Sequence, residues 1–310
     1  MIQTNDLSKQ FGDTWAVDGV SLDVYPGQVL ALIGQNGAGK TTTVRMLTSL
    51  LVPTRGRALV AGFDVVKSPD QVRASVGVLT EQHGLYLRMS GLEYLDFYGK
   101  IYRLDAAERQ KRIRRWLDYF GLVEVAKRPI GQYSKGMRQK LALARSLIHE
   151  PPVLLLDEPT SAMDPESAQL VRNAIASLRS EQRTIVICTH NLVEAEMLAN
   201  KIAIIYRGRI LTSGNIDELK RKLLGAAEYE VWVKDKWPVR PLNLPQGVTP
   251  IEIGQTRSRF RIEDPLSSNP ILLKELMKIG VEVVTFQELP RTLEQVYLAA
   301  MAQVNHAKTD

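Results

Sequence analysis

Short, uninterrupted apolar runs recur through residues 1 to about 220. Four of them are QVLALIG (28–34), PVLLLDEP (152–159), RTIVICTH (183–190) and KIAIIYRGRIL (201–211). Runs of this length are typical of strands that are buried on both faces. Helical periodicity follows the first three, and the second of these helices is predicted from Ser167 to Arg179. This alternation predicts an α/β fold with a parallel sheet covered on both sides by helices.

The regions between these runs have other patterns. Residues 1 to about 80 contain short strands with turns, such as AVDGVSLDVYPG (16–27), which alternates until Pro26 and Gly27 end it. Residues 90 to about 128 are charged and have helical periodicity, so we predict a helical insertion over about 83–150. Its basic run RQKRIRR (109–115) could be a solvated helix face or a nucleic-acid patch, and a solvated face is the more common structure.

The pattern changes again near residue 225. YEVWVKD (229–235) and SRFRIED (258–264) alternate like strands, with a proline-rich connection between them. A helix, a strand and a last helix are predicted in NPILLKELMKIG (269–280), VEVVTFQEL (281–289) and RTLEQVYLAAM (291–301). We therefore expect two domains, one over residues 1–222 and a small α+β domain over 226–303 with an accessory or regulatory role.

Composition narrows the class of protein. The 310 residues are 45% hydrophobic and 24% charged, as in water-soluble globular proteins. The net charge of +6 and pI of about 9.3 fit nucleic acid, anionic lipid or phosphate ligands equally well. The one cysteine, Cys188, lies in an apolar run and is expected to be a buried thiol. No signal-peptide core or run of about 20 apolar residues is apparent, so we expect a cytoplasmic protein that does not span a bilayer.

A phosphate-binding motif follows the first buried strand. GQNGAGKTT matches G-x-x-x-x-G-K-[ST] and lies between a predicted strand and helix. Its glycines let backbone N–H groups converge on phosphate oxygens, and the helix dipole adds positive potential. Lys40 would reach the β- and γ-phosphates, and the Thr41 hydroxyl would bind Mg²⁺. The candidate nucleotide-binding residues are Gly34, Asn36, Gly37, Ala38, Gly39, Lys40, Thr41 and Thr42.

Two acids and a histidine end neighbouring strands of the predicted sheet. Asp157 and Glu158 end one strand and His190 ends the next, at the sheet edge where open α/β folds bind ligands. Asp157 suits Mg²⁺ binding, and Glu158 suits activation of an attacking water. The imidazole of His190 could contact a γ-phosphate or that water. We predict Lys40, Glu158 and His190 as the catalytic residues.

YSKGMRQ (133–139) begins another helix, which Ser134 can cap. The first turn contains Gly136 and two cations but no acid, although a helix N-terminus favours acids. This end is therefore suited to an anion supplied from elsewhere.

Together, GQNGAGKTT, YSKGMRQ, LLLDEPTSAMDP and CTH make the chain resemble the ATP-binding subunits of ABC transporters, over residues 1 to about 220. The C-terminal segment ending in LEQVYLAAM resembles that of the ABC-2 exporter branch. The resemblance implies a P-loop NTPase fold: a RecA-like parallel sheet, an antiparallel β subdomain and a helical insertion, here followed by the small α+β domain.

The resemblance also implies roles for single residues. Phe11 occupies the position of the aromatic residue that stacks on adenine, and Asp164 belongs to a loop that communicates across the ATPase dimer. Ser134 and Gly136 match the signature loop, which in the family binds the γ-phosphate held by the other subunit. Tyr133, Lys135 and Met137 differ from the usual signature, as in the exporter branch.

One position departs from the family pattern. The family's Q-loop glutamine, a candidate Mg²⁺ ligand, should stand where this chain has Glu81, and Gln82 follows it. Either the loop is shifted by one residue or Glu81 takes the role.

The resemblance implies an ATPase that uses ATP and Mg²⁺, forms a homodimer on binding ATP and powers export through a separate transmembrane permease docked on the helical insertion. It would lie on the inner face of the cell membrane through that permease and bind no nucleic acid. Two alternatives are a soluble ABC ATPase acting on ribosomes or nucleic acid, and a nucleotide-gated regulatory module that hydrolyses little ATP.

Overall fold

The computed structural model describes residues 1–80, 84–161, 163–237 and 243–306. The chain forms two compact units, Met1–Asn215 and Ile216–Asp310. Within the described residues, we find no helix that combines the length and the apolar character needed to cross a bilayer.

The first unit contains two sheets. An antiparallel sheet has the strand order β2-β1-β4-β5, and a six-stranded sheet has the order β10-β9-β3-β8-β7-β6, in which only β10 runs antiparallel to its neighbour. The antiparallel strands are β1 (Ile2–Phe11), β2 (Thr14–Val24), β4 (Arg55–Val60) and β5 (Phe63–Asp64). The strands of the larger sheet are β3 (Val29–Ile33), β6 (Val76–Leu79), β7 (Val153–Asp157), β8 (Thr184–Thr189), β9 (Lys201–Tyr206) and β10 (Arg209–Gly214).

Helices surround the larger sheet, as the apolar pattern predicts. Alternate residues of β7 point into two different cores, Leu154 and Leu156 into one and Val153 and Leu155 into the other. Cys188 of β8 is buried, as expected. The helices are α1 (Lys40–Leu47), α2 (Pro69–Ser75), α3 (Gly91–Ile101), α4 (Ala106–Tyr119), α5 (Lys135–Leu147), α6 (Pro165–Ser180) and α7 (Leu192–Leu198).

The second unit is a four-stranded antiparallel sheet, of order β12-β13-β11-β14, with three helices. Our sequence boundary, between residues 222 and 226, spans the end of the first of these helices, whereas the second unit already begins at Ile216. The Arg291 guanidinium donates 2.6 Å and 2.8 Å hydrogen bonds to the carbonyls of Lys220 and Gly225, which ties the end of this helix to its own unit. The elements are α8 (Ile216–Leu224), β11 (Ala227–Val233), β12 (Val248–Ile253), β13 (Arg257–Ile262), α9 (Pro265–Lys278), β14 (Val283–Glu288) and α10 (Leu293–His306).

The sequence pattern did not predict β12, because Pro250 made this segment resemble a connection. The structure places Pro250 on an edge strand, beside a register shift between Pro250 and Glu252. Edge strands and bulges are the places where a sheet tolerates a residue without a backbone N–H group.

Candidate nucleotide-binding site

The loop between β3 and α1 needs glycine at specific positions. Gly39 precedes α1 with φ of 110°, a conformation that side chains disfavour. A Cβ atom at Gly39 would lie 2.6 Å from the Ala16 carbonyl oxygen, and one at Gly34 would lie 2.4 Å from that of Ile205. These clashes show that both glycines let the loop pack closely against neighbouring backbone.

Lys40 is the first residue of α1 and is buried, with 7% of its surface exposed. Its Nζ donates hydrogen bonds of 2.5 Å to the Gly34 carbonyl and 3.1 Å to the Gln35 carbonyl. The ammonium therefore lies across the mouth of the loop, where its charge and remaining hydrogen-bonding capacity suit a phosphate oxygen.

Thr41 and Asp157 face each other across the base of the same cleft. The Thr41 hydroxyl lies 3.4 Å from Asp157 Oδ2, and Asp157 is 7% exposed at the end of β7. A hydroxyl and a carboxylate are hard oxygen ligands of the kind Mg²⁺ prefers, and Mg²⁺ sites in NTPases are completed by substrate phosphates and water. The residues present thus fit Mg²⁺. No group of three or more His, Cys, Asp or Glu side chains that could hold a metal alone occurs in the described part of the chain.

Glu158 has a strained backbone and a well-anchored side chain. Its φ of 49° is uncommon for a residue other than glycine. Its Oε1 lies 2.6 Å from His190 Nδ1 and accepts a 3.0 Å hydrogen bond from the His190 N–H, while Oε2 accepts from the Thr189 hydroxyl at 3.2 Å. Since a carboxylate can only accept, Nδ1 of His190 carries the hydrogen, which leaves Nε2 for a ligand.

The carboxyl group of Glu194 lies close to that of Glu158. Glu194, on α7, is buried and accepts a 2.6 Å hydrogen bond from the Thr160 hydroxyl. The Thr189 hydroxyl lies 3.4 Å from Glu194 as well, so it sits between the two carboxyl groups. Burial raises the pKa of Glu194, and the nearby negative charge of Glu158 adds to that rise.

Sequence reasoning missed Gln139. Its Nε2 donates to the Glu158 carbonyl at 2.7 Å and to the Pro159 carbonyl at 2.6 Å, and the residue is 2% exposed on α5. Gln139 stands within the YSKGMRQ motif, but the motif does not indicate which backbone its amide contacts.

The structure brings most of the predicted site residues to one cleft. Three residues that we did not predict, Ala16, Gln35 and Ser161, complete its lining. The lining consists of Ala16, Gln35, Asn36, Gly37, Ala38, Gly39, Lys40, Thr41, Thr42, Asp157, Glu158, Ser161 and His190.

Other predicted residues lie elsewhere. Phe11, at the end of β1, is 52% exposed and does not line the cleft of the same chain. Three other predicted residues are also absent from its lining: Gly34, Ser134 and Gly136. Ser134 caps α5 by accepting from the Met137 N–H at 3.2 Å, as predicted, and no acid occupies the first turn of that helix. Asp164 caps α6. Glu81 and Gln82 fall outside the described residues.

Comparisons with known proteins agree with this geometry. Residues 17–161 match the ABC transporter family model, and residues 214–301 match the model of the C-terminal domain of DrrA1-3-like ATP-binding proteins. The chain is 41% identical to the ABC transporter ATP-binding protein NatA of Bacillus subtilis, over 71% of this chain and 91% of that protein.

Two further matches extend the comparison. The chain is 36% identical to the daunorubicin/doxorubicin resistance ATP-binding protein DrrA of Streptomyces peucetius, over 96% of this chain and 91% of that protein. A solved structure of an ATP-binding subunit of an ABC transporter aligns with a TM-score of 0.69 and 28% identity, over 73% of this chain and 94% of that one.

Proposed function

Because this chain belongs to the ABC transporter family of ATP-binding subunits, we propose that it hydrolyses ATP as one half of a dimer that powers export through a separate membrane permease. The observation that carries this function is the convergence of Lys40, Thr41, Asp157, Glu158 and His190 on one cleft. The relatives that match over nearly the whole chain include ATP-binding proteins of drug resistance and of Nod factor export. They favour an exporter over both alternatives, a ribosome- or nucleic-acid-directed ATPase and a regulatory module.

The predicted site residues of the cleft have distinct roles in this proposal. The loop from Gly34 to Thr42 wraps the phosphates, and Lys40 neutralises charge on the β- and γ-phosphates. Bound Mg²⁺ would supply positive charge against the negative charge that develops on the phosphates. Thr41 and Asp157 would hold it, and the Q-loop position at Glu81 or Gln82 is a further candidate ligand.

Glu158 and His190 take part in the proton transfer that accompanies hydrolysis. A water attacks the γ-phosphorus, the bond to the bridging oxygen of ADP breaks, and Glu158 accepts the proton that the water loses. The hydrogen bonds from Thr189 and His190 orient the carboxylate of Glu158, and His190 lines the same cleft. Phe11 would stack on the adenine.

The cleft of one chain lacks Ser134 and Gly136, which supports a head-to-tail dimer. In that arrangement the start of α5 in one chain would donate to the γ-phosphate held by the other. The acid-free first turn and the N–H groups of this helix end are suited to that anion. The permease would dock on the helical insertion at about 83–150 and hold the subunit on the inner membrane face, and the C-terminal domain would have a regulatory or accessory role.

Two measurements test this function. Purified protein should release phosphate from ATP in the presence of Mg²⁺, and Glu158→Gln should bind ATP, hydrolyse very little of it and accumulate as an ATP-bound dimer in size-exclusion chromatography. Near-normal turnover of Glu158→Gln would disprove the assigned base. Affinity purification of the tagged protein from detergent-solubilised membranes should recover a stoichiometric multi-span protein, whereas recovery of ribosomal proteins would reject the exporter.

A further inference from the structure

We propose that Gln139 is a positioning residue that couples the two ATP sites of the dimer, by linking the signature helix α5 to the backbone of Glu158. The inference rests on the proposed function, since it assumes that Ser134 meets the partner's nucleotide and that Glu158 acts on the chain's own. Gln139 itself lines no part of the cleft.

The contact is short, buried and made by one group. The Nε2 atom of Gln139 donates to two successive carbonyl oxygens, those of Glu158 at 2.7 Å and Pro159 at 2.6 Å. With 2% of the residue exposed, water cannot readily replace either bond. Removing this amide would take one donor from each carbonyl, which is costly in a protein interior, although the Glu158 carbonyl would keep its 3.1 Å hydrogen bond from the Ser161 N–H.

Gln139 contacts a strained stretch of backbone. Glu158 adopts a left-handed conformation, with φ of 49°. Such a conformation persists only where surrounding contacts enforce it. The Glu158 N–H donates to the Cys188 carbonyl at 2.8 Å, and Gln139 holds the carbonyl side of the same residue. The two contacts together fix the direction in which the carboxylate leaves the chain.

The position of Gln139 on α5 provides the coupling. Ser134 caps the helix, and Gln139 lies five residues later, a rise of about 7.5 Å along a rigid element. A phosphate bound at the Ser134 end would shift or stiffen α5. Gln139 would transmit that change to the turn at Glu158, the residue that acts on the nucleotide of its own chain. ATP in one site would therefore promote hydrolysis in the other.

The test compares two variants with a matched control. Gln139→Met keeps the side-chain volume but removes the amide that donates both hydrogen bonds. Gln139→Asn keeps an amide, but its side chain is one methylene group shorter, so the amide no longer reaches the two carbonyls. Ser146→Ala is the control, because it removes a buried hydrogen bond of the same helix, from the Ser146 hydroxyl to the Leu143 carbonyl, about two turns beyond Gln139. Thermal midpoints show whether all three variants are folded.

The readout is phosphate release as a function of ATP concentration. Wild type should show a Hill coefficient above 1. Both Gln139 variants should lower kcat on the order of 10- to 100-fold, as a misplaced catalytic group does, with the half-saturating ATP concentration changed by less than about 3-fold. Their Hill coefficient should fall to 1, while Ser146→Ala should keep the wild-type value.

The outcomes separate this inference from the function on which it rests. A wild-type protein without ATPase activity would overturn both. An active wild type with a Hill coefficient of 1, or Gln139 variants that keep the wild-type cooperativity and kcat, would overturn the coupling and leave the ATPase intact. Should Gln139→Met not fold, the milder Gln139→Asn decides by the same two criteria. If neither variant folds, Gln139 is an ordinary packing residue and the proposal is wrong.

Discussion

His190 Nδ1 lies 2.6 Å from Glu158 Oε1, although the two residues are 32 positions apart in the chain. Glu158 directly follows β7 and His190 directly follows β8, and these strands are parallel neighbours with Asp157 opposite Cys188. The sheet therefore brings a carboxylate and an imidazole to the mouth of the cleft. The backbone N–H of His190 also donates to Oε1, at 3.0 Å, so that one oxygen of Glu158 accepts from both groups.

The first prediction concerns this pair. His190→Ala should lower kcat about 100-fold, the usual scale for a group that assists proton transfer, while ATP affinity stays nearly unchanged. Phosphate release and equilibrium binding of a fluorescent ATP analogue measure the two effects. Val193→Ala, an exposed position on the following helix, is the control. Turnover of His190→Ala within about 3-fold of wild type would show that the pair is not part of the reaction.

The second prediction separates two glycines of the phosphate-binding loop. Gly37 and Gly39 both have positive φ, 79° and 110°, so alanine at either costs on the order of 1–2 kcal/mol. Only at Gly39 would the added Cβ collide with backbone, at 2.6 Å from the Ala16 carbonyl oxygen, since open space surrounds Gly37. Without nucleotide, Gly39→Ala should lower the thermal midpoint more than Gly37→Ala does. Equal shifts would contradict this account of the loop.

The third prediction tests whether Ser134 acts on the partner's nucleotide. Lys40→Ala damages the site of its own chain, and Ser134→Arg would fill the γ-phosphate space of the partner's site. In a mixed head-to-tail dimer both lesions fall in one site and the other is intact. Phosphate release should therefore rise on mixing the purified variants, with a maximum near equal amounts.

The control for this experiment is subunit exchange, followed with labelled chains. If the chains exchange but phosphate release does not rise at any mixing ratio, there are two explanations. Either Ser134 acts within its own chain, or a dimer with one intact site cannot hydrolyse ATP. Mixing Lys40→Ala with wild type distinguishes the two, because that dimer also has one intact site.

The fourth prediction concerns the pH dependence of stability. His149 stacks on Tyr102 with ring centroids 3.7 Å apart, and burial, reinforced by Arg112 and Arg183, lowers its pKa to about 4. In the unfolded chain its pKa is about 6.5, so below that pH the unfolded state binds a proton that the folded state does not. Stability is therefore lost as pH falls from about 6.5 towards 4, by about 2 kcal/mol at pH 5.

His149→Phe should remove the pH dependence of stability that His149 causes, while it keeps an aromatic ring against Tyr102. Urea unfolding at pH 7.5 and pH 5 measures the apparent free energy of unfolding of both proteins. Wild type should lose about 2 kcal/mol more than the variant between the two pH values. An identical loss in both would show that the neutral, buried state of His149 does not contribute.

The fifth prediction concerns the division of the chain at residue 215. A chain of residues 1–215 contains every residue that lines the cleft, so it should bind ATP with near-normal affinity. Its dimer stability or its regulation should change, because the second unit is absent. Circular dichroism provides the folding control. A folded truncated chain that does not bind ATP would contradict this division of labour.

The sequence alone predicted the parts of the molecule whose conformation depends on residues close together in the chain. GQNGAGKTT favours its own backbone shape, because Gly39 adopts a positive φ and a Cβ atom at Gly34 or Gly39 would collide with neighbouring backbone. Buried parallel strands are apolar on both faces, so β3, β7, β8 and β9 were evident from composition and length. Ser134 was predictable as a cap, because capping depends on one side chain and the backbone three residues later.

The tertiary structure decided the contacts between distant segments. No local pattern shows that the Gln139 amide reaches the carbonyls of Glu158 and Pro159, or that Thr189 lies between two carboxyl groups. The sequence pattern did not predict β12, because a strand tolerates a proline such as Pro250 only in certain positions, one of which is the sheet edge. Which strand lies at the edge depends on the strand order of the folded sheet. Local motifs depend on backbone conformation and near neighbours, whereas these contacts depend on how helices and strands pack, and that is set by the whole chain.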